Sequence, residues 1–222
     1  MPAAEVQEAL RAAFARWGLP GRVRVDNGTP WGATGGLPTA LAMGLVGLGV
    51  GVTWNRPRRP RDNAVVERSQ GVGQGWLEPG TCDSAAELQR RADESDAIQR
   101  GEYPAFGSRT RLEEFPGLRH AGRRYSRRTE ARQWDLQRVL DWLSGHTVPR
   151  QVSRDGKVSV YDRNLWVGRR WVGHQVWVGL DPEARMWLIR DANGAVLNRV
   201  AASELTPQRI RGLAVSRIRG KR

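Results

Sequence analysis

The chain has 222 residues, 39% of them apolar, which suits one medium domain or two small ones and excludes a disordered chain. Lysine and arginine number 36 against 23 aspartates and glutamates, a net charge of +13, so a polyanionic partner is expected, nucleic acid first. One cysteine, Cys82, and three scattered histidines, His120, His146 and His174, exclude a disulfide framework and a zinc site of the paired Cys/His type.

Residues 4–17 read as a helix with Val6, Leu10, Phe14 and Trp17 on one stripe, closed by Gly18 and Pro20. Residues 22–26 alternate as a half-buried strand does. The turn-rich segment 27–32 then leads to a second helix from Leu37, with Leu41, Leu45 and Leu48 on its face. A strand follows at 49–54. Beyond the loop that carries Arg56, Arg58, Arg59 and Arg61, Asp62 is placed to cap a third helix running through Glu67, since a carboxylate there accepts from free backbone donors. Residues 84–100 form a charged amphipathic helix, 101–128 a Pro/Gly/Arg-rich connector, and 130–143 a further helix with Trp134, Val139 and Trp142.

From Val148 onward, short strands alternate with regularly spaced turns, the texture of a small all-β barrel or sandwich. Trp166, Trp171, Trp177 and Trp187 fall on these strands and are assigned to the barrel core rather than to base-stacking platforms. Residues 207–222 contain Arg209, Arg211, Arg217, Arg219, Lys221 and Arg222 and no acid, a flexible basic tail able to wrap a phosphate backbone. The first residues lack the basic-then-apolar run of a signal peptide. The longest apolar stretch, 40–52, is short and broken by glycine, so a cytoplasmic protein without membrane contact is expected.

All cations but Lys157 and Lys221 are arginines, whose planar fork holds a phosphate through two parallel hydrogen bonds; a high-GC genome yields the same bias. Asp26 ends a strand, and Glu67 sits five residues beyond Asp62 in a helix. Carboxylates suit Mg²⁺, which prefers hard oxygen ligands, and two such ions about 3.5–4 Å apart clamp the attacking and leaving oxygens of a phosphoryl transfer. Among 23 acids the pair alone does not single out that chemistry, because Asp26-Asn27-Gly28 is also a turn signal and Glu67 suits a solvated helix face.

The surroundings of the two acids single them out. Val25-Asp26-Asn27-Gly28 and Pro60-Arg61-Asp62-Asn63-Ala64-Val65-Val66-Glu67-Arg68 resemble the second and third acidic motifs of the retroviral-integrase-like DDE transposases of bacterial insertion sequences. The strand exit Thr53-Trp54-Asn55-Arg56-Pro57, the pairs Gln99-Arg100 and Tyr103-Pro104, and the β-rich end extend the resemblance over most of the chain. It implies an α/β fold: a partial ribonuclease-H-like core over residues 1–105, a helical linker over 106–146, an SH3-like β-barrel over 147–206 and a basic tail over 207–222. It implies that Asp26 and Glu67 are catalytic and bind Mg²⁺ or Mn²⁺, while water or a 3′ hydroxyl attacks a phosphodiester of double-stranded DNA. Asp62 and Asn63 would shape the helix start.

Arg56, Arg58, Arg59, Arg61 and Arg68, with Arg169 and Arg170 of the β-rich segment, would contact DNA. The resemblance further implies that the opening strands with the first catalytic aspartate are lacking. Full activity would then require an aspartate from an upstream transposase polypeptide, within an assembly that also pairs copies of this chain. The other reading is a non-catalytic DNA-binding remnant or regulator of a transposase. One departure from the family pattern is Gly71-Val72-Gly73-Gln74-Gly75, where relatives are helical and basic; each glycine costs a helix interior about 1 kcal/mol against alanine. No strand directly precedes these glycines, which argues against a phosphate-cradling loop.

Overall fold

The computed structural model describes residues 1–32 and 36–216. Its first half contains α1 (Ala3–Trp17), β1 (Arg22–Val25), α2 (Ala40–Gly47), β2 (Gly51–Trp54), α3 (Ala64–Leu77), α4 (Ala85–Gly101), β3 (Pro104–Phe106), β4 (Arg109–Thr110) and α5 (Arg111–Glu114). The second half contains α6 (Glu130–Gln133), α7 (Leu136–Ser144), β5 (Val148–Gln151), β6 (Lys157–Val160), β7 (Arg163–Trp166), β8 (Gln175–Asp181), β9 (Met186–Arg190), β10 (Val196–Ala201) and α8 (Pro207–Arg211). The chain is mixed α/β. Among the described residues no helix is long and apolar enough to cross a membrane. Two compact units are present: Met1–Arg11 with Gly21–Thr53 and Ser126–Arg222, and Ala12–Pro20 with Trp54–Tyr125.

In the first unit α2 is the central post. Leu41, Ala42, Met43, Leu45 and Val46 are all buried, so the helix is apolar nearly all round, as an interior helix must be. Helix α7 lays Val139, Leu140 and Leu143 against it. The single helix expected over 130–143 is divided at Trp134 and Asp135. Trp134 is extended, and its Nε1 donates to Gly44 O at 3.0 Å, which takes the indole out of the helical path and onto α2. Asp135 then restarts the helix as its cap, accepting from Gln137 N at 2.8 Å.

The β-rich end does not close into a barrel among the described residues. Strands β10, β9, β8 and β5 form one antiparallel sheet in that order, and β6 with β7 forms a separate hairpin. Nor do the four tryptophans share one core: Trp187 is fully buried, Trp171 and Trp177 are half-buried, and Trp166 is 47% exposed. Strand alternation explains this. Val158, Val160 and Leu165 take the inward phase of the hairpin, which turns Lys157 and Trp166 outward. Tyr161 and Asp162 make the connecting two-residue turn with φ of 44° and 63°. Such a turn favours Asn-Gly; here the Tyr161 hydroxyl offsets the strain by donating to Pro38 O at 2.7 Å.

The expected flexible tail begins as ordered structure. Pro207 starts α8, Ile210 and Val215 are buried, and Arg211 pairs at 3.3 Å with Glu130, which also holds Arg11 at 2.7 Å. Residues 217–222, with Arg217, Arg219, Lys221 and Arg222, lie outside the described residues.

The second unit packs α3 against α4 and α4 against α5. Phe14 stacks edge-on against Tyr125 at 5.8 Å, and Arg100 covers the Trp17 ring at 3.8 Å. Helix α3 starts one residue later than Asp62 would place it, because the Asp62 carboxylate is used elsewhere; Asn63 stands at the cap position without a capping bond, its Oδ1 accepting from Asn55 Nδ2. It also runs on through Gly71, Gly73 and Gly75 to Leu77.

Two glycine substitutions should therefore act in opposite directions. A Cβ on Gly71 meets nothing within 4 Å, whereas one on Gly47 would lie 2.1 Å from the buried Trp134 ring. Gly71→Ala should stabilise its unit by about 0.5–1 kcal/mol. Gly47→Ala gains the same propensity but should lose about 1–3 kcal/mol to overpacking, a net destabilisation. Urea unfolding of both variants checks this, and a wild-type midpoint for Gly47→Ala contradicts the packing described.

Candidate functional site

Asp26 follows β1 directly and is exposed. Its Oδ1 accepts from Gly28 N at 3.1 Å, and Gly28 O in turn accepts from Trp31 N at 2.9 Å and Gly32 N at 2.7 Å. These bonds wind residues 26–32 into a tight turn on the end of the strand. Glu67 is an exposed residue in the first turn of α3, its amide donating to Asn63 O at 2.9 Å.

Asp26 belongs to the first unit and Glu67 to the second. Among the described residues no three His, Cys, Asp or Glu side chains gather as a metal site. Asp62, the other acid of the Pro60–Arg68 segment, is committed to an arginine.

The loop before α3 is built around Asp62. Its Oδ2 accepts from Arg56 N at 3.1 Å and Arg56 Nε at 3.0 Å, and its Oδ1 from Arg56 Nη2 at 2.7 Å. That pairing holds the Arg56 guanidinium above the ordinary arginine range. Arg59 N donates to Arg56 O, Asp62 N donates to Arg59 O, and Arg58 takes the left-handed conformation at φ 57°. The segment is thus a hooked turn. Arg58, Arg59 and Arg61 on the hook, and Arg68 on the first turns of α3, are exposed and form no ion pair among the described residues. The hook thus presents exposed guanidinium groups, and the Asp62 carboxylate within it is already paired with Arg56.

Arg169 and Arg170 occupy a single 3-10 turn, Arg169–Trp171, and both are exposed without a carboxylate partner among the described residues. Gly156 O accepts from Val167 N at 2.8 Å and Gly168 N at 3.1 Å. A Cβ on Gly156 would sit 3.0 Å from Gly168 C, so the 153–157 turn lies directly against the arginine turn. Lys157 pairs across the hairpin with Trp166. Sequence reasoning placed Trp166 in the core and overlooked Lys157; the signal it needed was strand phase, since Lys157-Val-Ser-Val160 and Arg163-Asn-Leu-Trp166 bury their valines and leucine.

A cleft of about 450 Å³ in the first unit, lined by Arg22, Val50, Thr53, Arg138 and Trp142 among others, includes neither Asp26 nor Glu67. No protein-family model matches the chain. Asp62→Asn should release the hook: the Arg56 amide should exchange with solvent about tenfold faster, as expected for loss of one charge-assisted bond of about 1.4 kcal/mol. Hydrogen exchange resolved to that amide measures it, and an unchanged rate contradicts the role given to Asp62.

Proposed function

We propose that this chain is a DNA-binding protein of DNA transposition or integration, with a partial ribonuclease-H-like core, a helical linker and an SH3-like module. The carrying observation is the hook at residues 56–61: exposed arginines, unpaired among the described residues, fixed in place by Asp62 in a chain of net charge +13. Arginines released from internal pairing displace counterions from a phosphate backbone, which makes affinity large at low salt and steeply salt-dependent. Arg68 on α3, and Arg169 with Arg170 on the β-rich module, supply further phosphate contacts in this reading. They position the duplex without reading its sequence.

Phosphoryl transfer with Mg²⁺ or Mn²⁺ belongs to the same reading where a further carboxylate joins Asp26 and Glu67 at the metal site. The commitment of Asp62 to Arg56, which leaves Arg58, Arg59 and Arg61 facing solvent, supports binding as this chain's own role, the behaviour of a regulator that occupies DNA in a transposase assembly.

Replacing Arg58, Arg59 and Arg61 together by glutamine should lower duplex affinity and reduce the slope of log K against log salt by about 2–3, since each phosphate contact contributes roughly 0.9. Fluorescence anisotropy across a salt series measures this, and an unchanged slope removes the hook from the interface. In the same preparations, labelled DNA with Mg²⁺ or Mn²⁺ should be bound but not nicked. Product formation that is lost in both Asp26→Asn and Glu67→Gln would instead assign the chemistry to this chain.

A further inference from the structure

The outward face of the β6–β7 hairpin carries Lys157, Ser159, Asn164 and Trp166, all exposed, over a layer of buried Val158, Val160 and Leu165. The inward phase of Val158, Val160 and Leu165 turns the indole outward, so Trp166 stands 47% exposed on a regular strand whose inner face is already filled. The strand beneath it is firmly held. Trp166 O accepts from the Asn198 side chain at 2.8 Å, and its backbone pairs with Lys157. Directly after it come Arg169 and Arg170, brought against the Lys157 turn by the Gly156 contacts. The sequence contains no carboxylate between Asp162 and Asp181.

We infer that this face is a stacking platform for an unpaired base at a DNA end, an inference that rests on the DNA-binding reading above. A duplex offers its phosphates to Lys157, Arg169 and Arg170, but its internal bases have both π-faces covered by their neighbours, and its terminal pairs keep their hydrogen-bonding edges joined. An unpaired base has a free face, and an exposed indole paired across the hairpin with Lys157 and followed by the arginine turn supplies stacking and charge together. Ser159 and Asn164 on the same face provide donors and acceptors for the edge of the stacked base or its sugar. The occupant is therefore DNA with a single-stranded extension or frayed end, its unpaired base on Trp166 and its backbone along the arginine turn.

Three labelled DNAs test this by anisotropy: a blunt duplex, the same duplex with a short 3′ single-stranded extension, and the extension alone. Wild type should prefer the extended duplex to the blunt one. Trp166→Ala should weaken binding of the extended duplex and the single strand roughly 10- to 100-fold, the range expected of one base stacked on an aromatic ring, and leave the blunt duplex within about twofold. Trp166→Phe should retain most of the preference because it keeps a π-face, and it serves as well if the alanine variant folds poorly. Equal binding of blunt and extended DNA by wild type, or a preference that survives Trp166→Ala, overturns the platform while leaving DNA binding intact. Failure to bind any of the three overturns the DNA-binding reading itself.

Discussion

Glu204 is fully buried, and its carboxylate is the tie on which the β-rich module depends. Oε1 accepts from Trp187 Nε1 at 2.6 Å, and Oε2 pairs with Arg163, whose guanidinium also donates to Ala201 O at 2.6 Å. One acid thereby joins the hairpin strand that carries Trp166, the central sheet strand β9 and the segment leading to α8. Desolvating a carboxylate costs several kcal/mol, so such a group is tolerable only with its partners in place. Burial also pushes the Tyr161 phenol well above its ordinary value, with the Glu204 charge adding to the effect, and Tyr161 remains a neutral donor to Pro38 O. The hairpin is therefore held at two points, and the direction in which its outer face looks is fixed by the core.

The second unit is built differently. Among its described residues the buried apolar side chains are Phe14, Leu19 and Tyr125, while Val66, Trp76, Tyr103, Phe106 and Phe115 are among those exposed. Ion pairs such as Arg16 with Asp93 and Arg91 with Glu87, both at 2.6 Å, and the Arg100 contact with Trp17 supply much of its cohesion. Solvent-exposed pairs contribute little each, so this unit belongs to the low-stability end of the molecule. The arginine hook gains its definition from Asp62 rather than from a hydrophobic base, which lets a cation-rich loop keep one shape at modest stability.

Much of the helical order was legible in the sequence because it rests on local signals. The Val6–Trp17 stripe closed by Gly18 and the charged helix after Ser84 appear where periodicity and capping place them, whereas the leucine-rich second helix starts only at Ala40, after the Thr39 cap, and leaves Leu37 and Leu48 outside it. What was not legible depends on tertiary partners. The break at Trp134 exists because Gly44 and Gly47 of α2 receive the indole, and no feature of residues 130–143 announces that. Asp62 has the chemistry of a helix cap, yet Arg56 takes its oxygens first. The tail signal of net positive charge concealed Ile210 and Val215, two apolar anchors that decide the outcome. Of the candidate site, Arg58, Arg59, Arg61, Arg68, Arg169 and Arg170 are exposed, while Trp166, assigned to the core with the other strand tryptophans, stands on the outer face because Leu165 takes the inward phase of its strand.

On the DNA-binding reading, two exposed basic faces meet DNA: the hook at 56–61 with Arg68, and the hairpin with its arginine turn at 157–172. Hydrogen–deuterium exchange with and without a duplex bearing a 3′ extension tests it directly on the full chain. Slowed exchange in both segments, with strands β8 and β9 unchanged, is the predicted result. Binding accompanied by protection elsewhere, and by none in either segment, would contradict it.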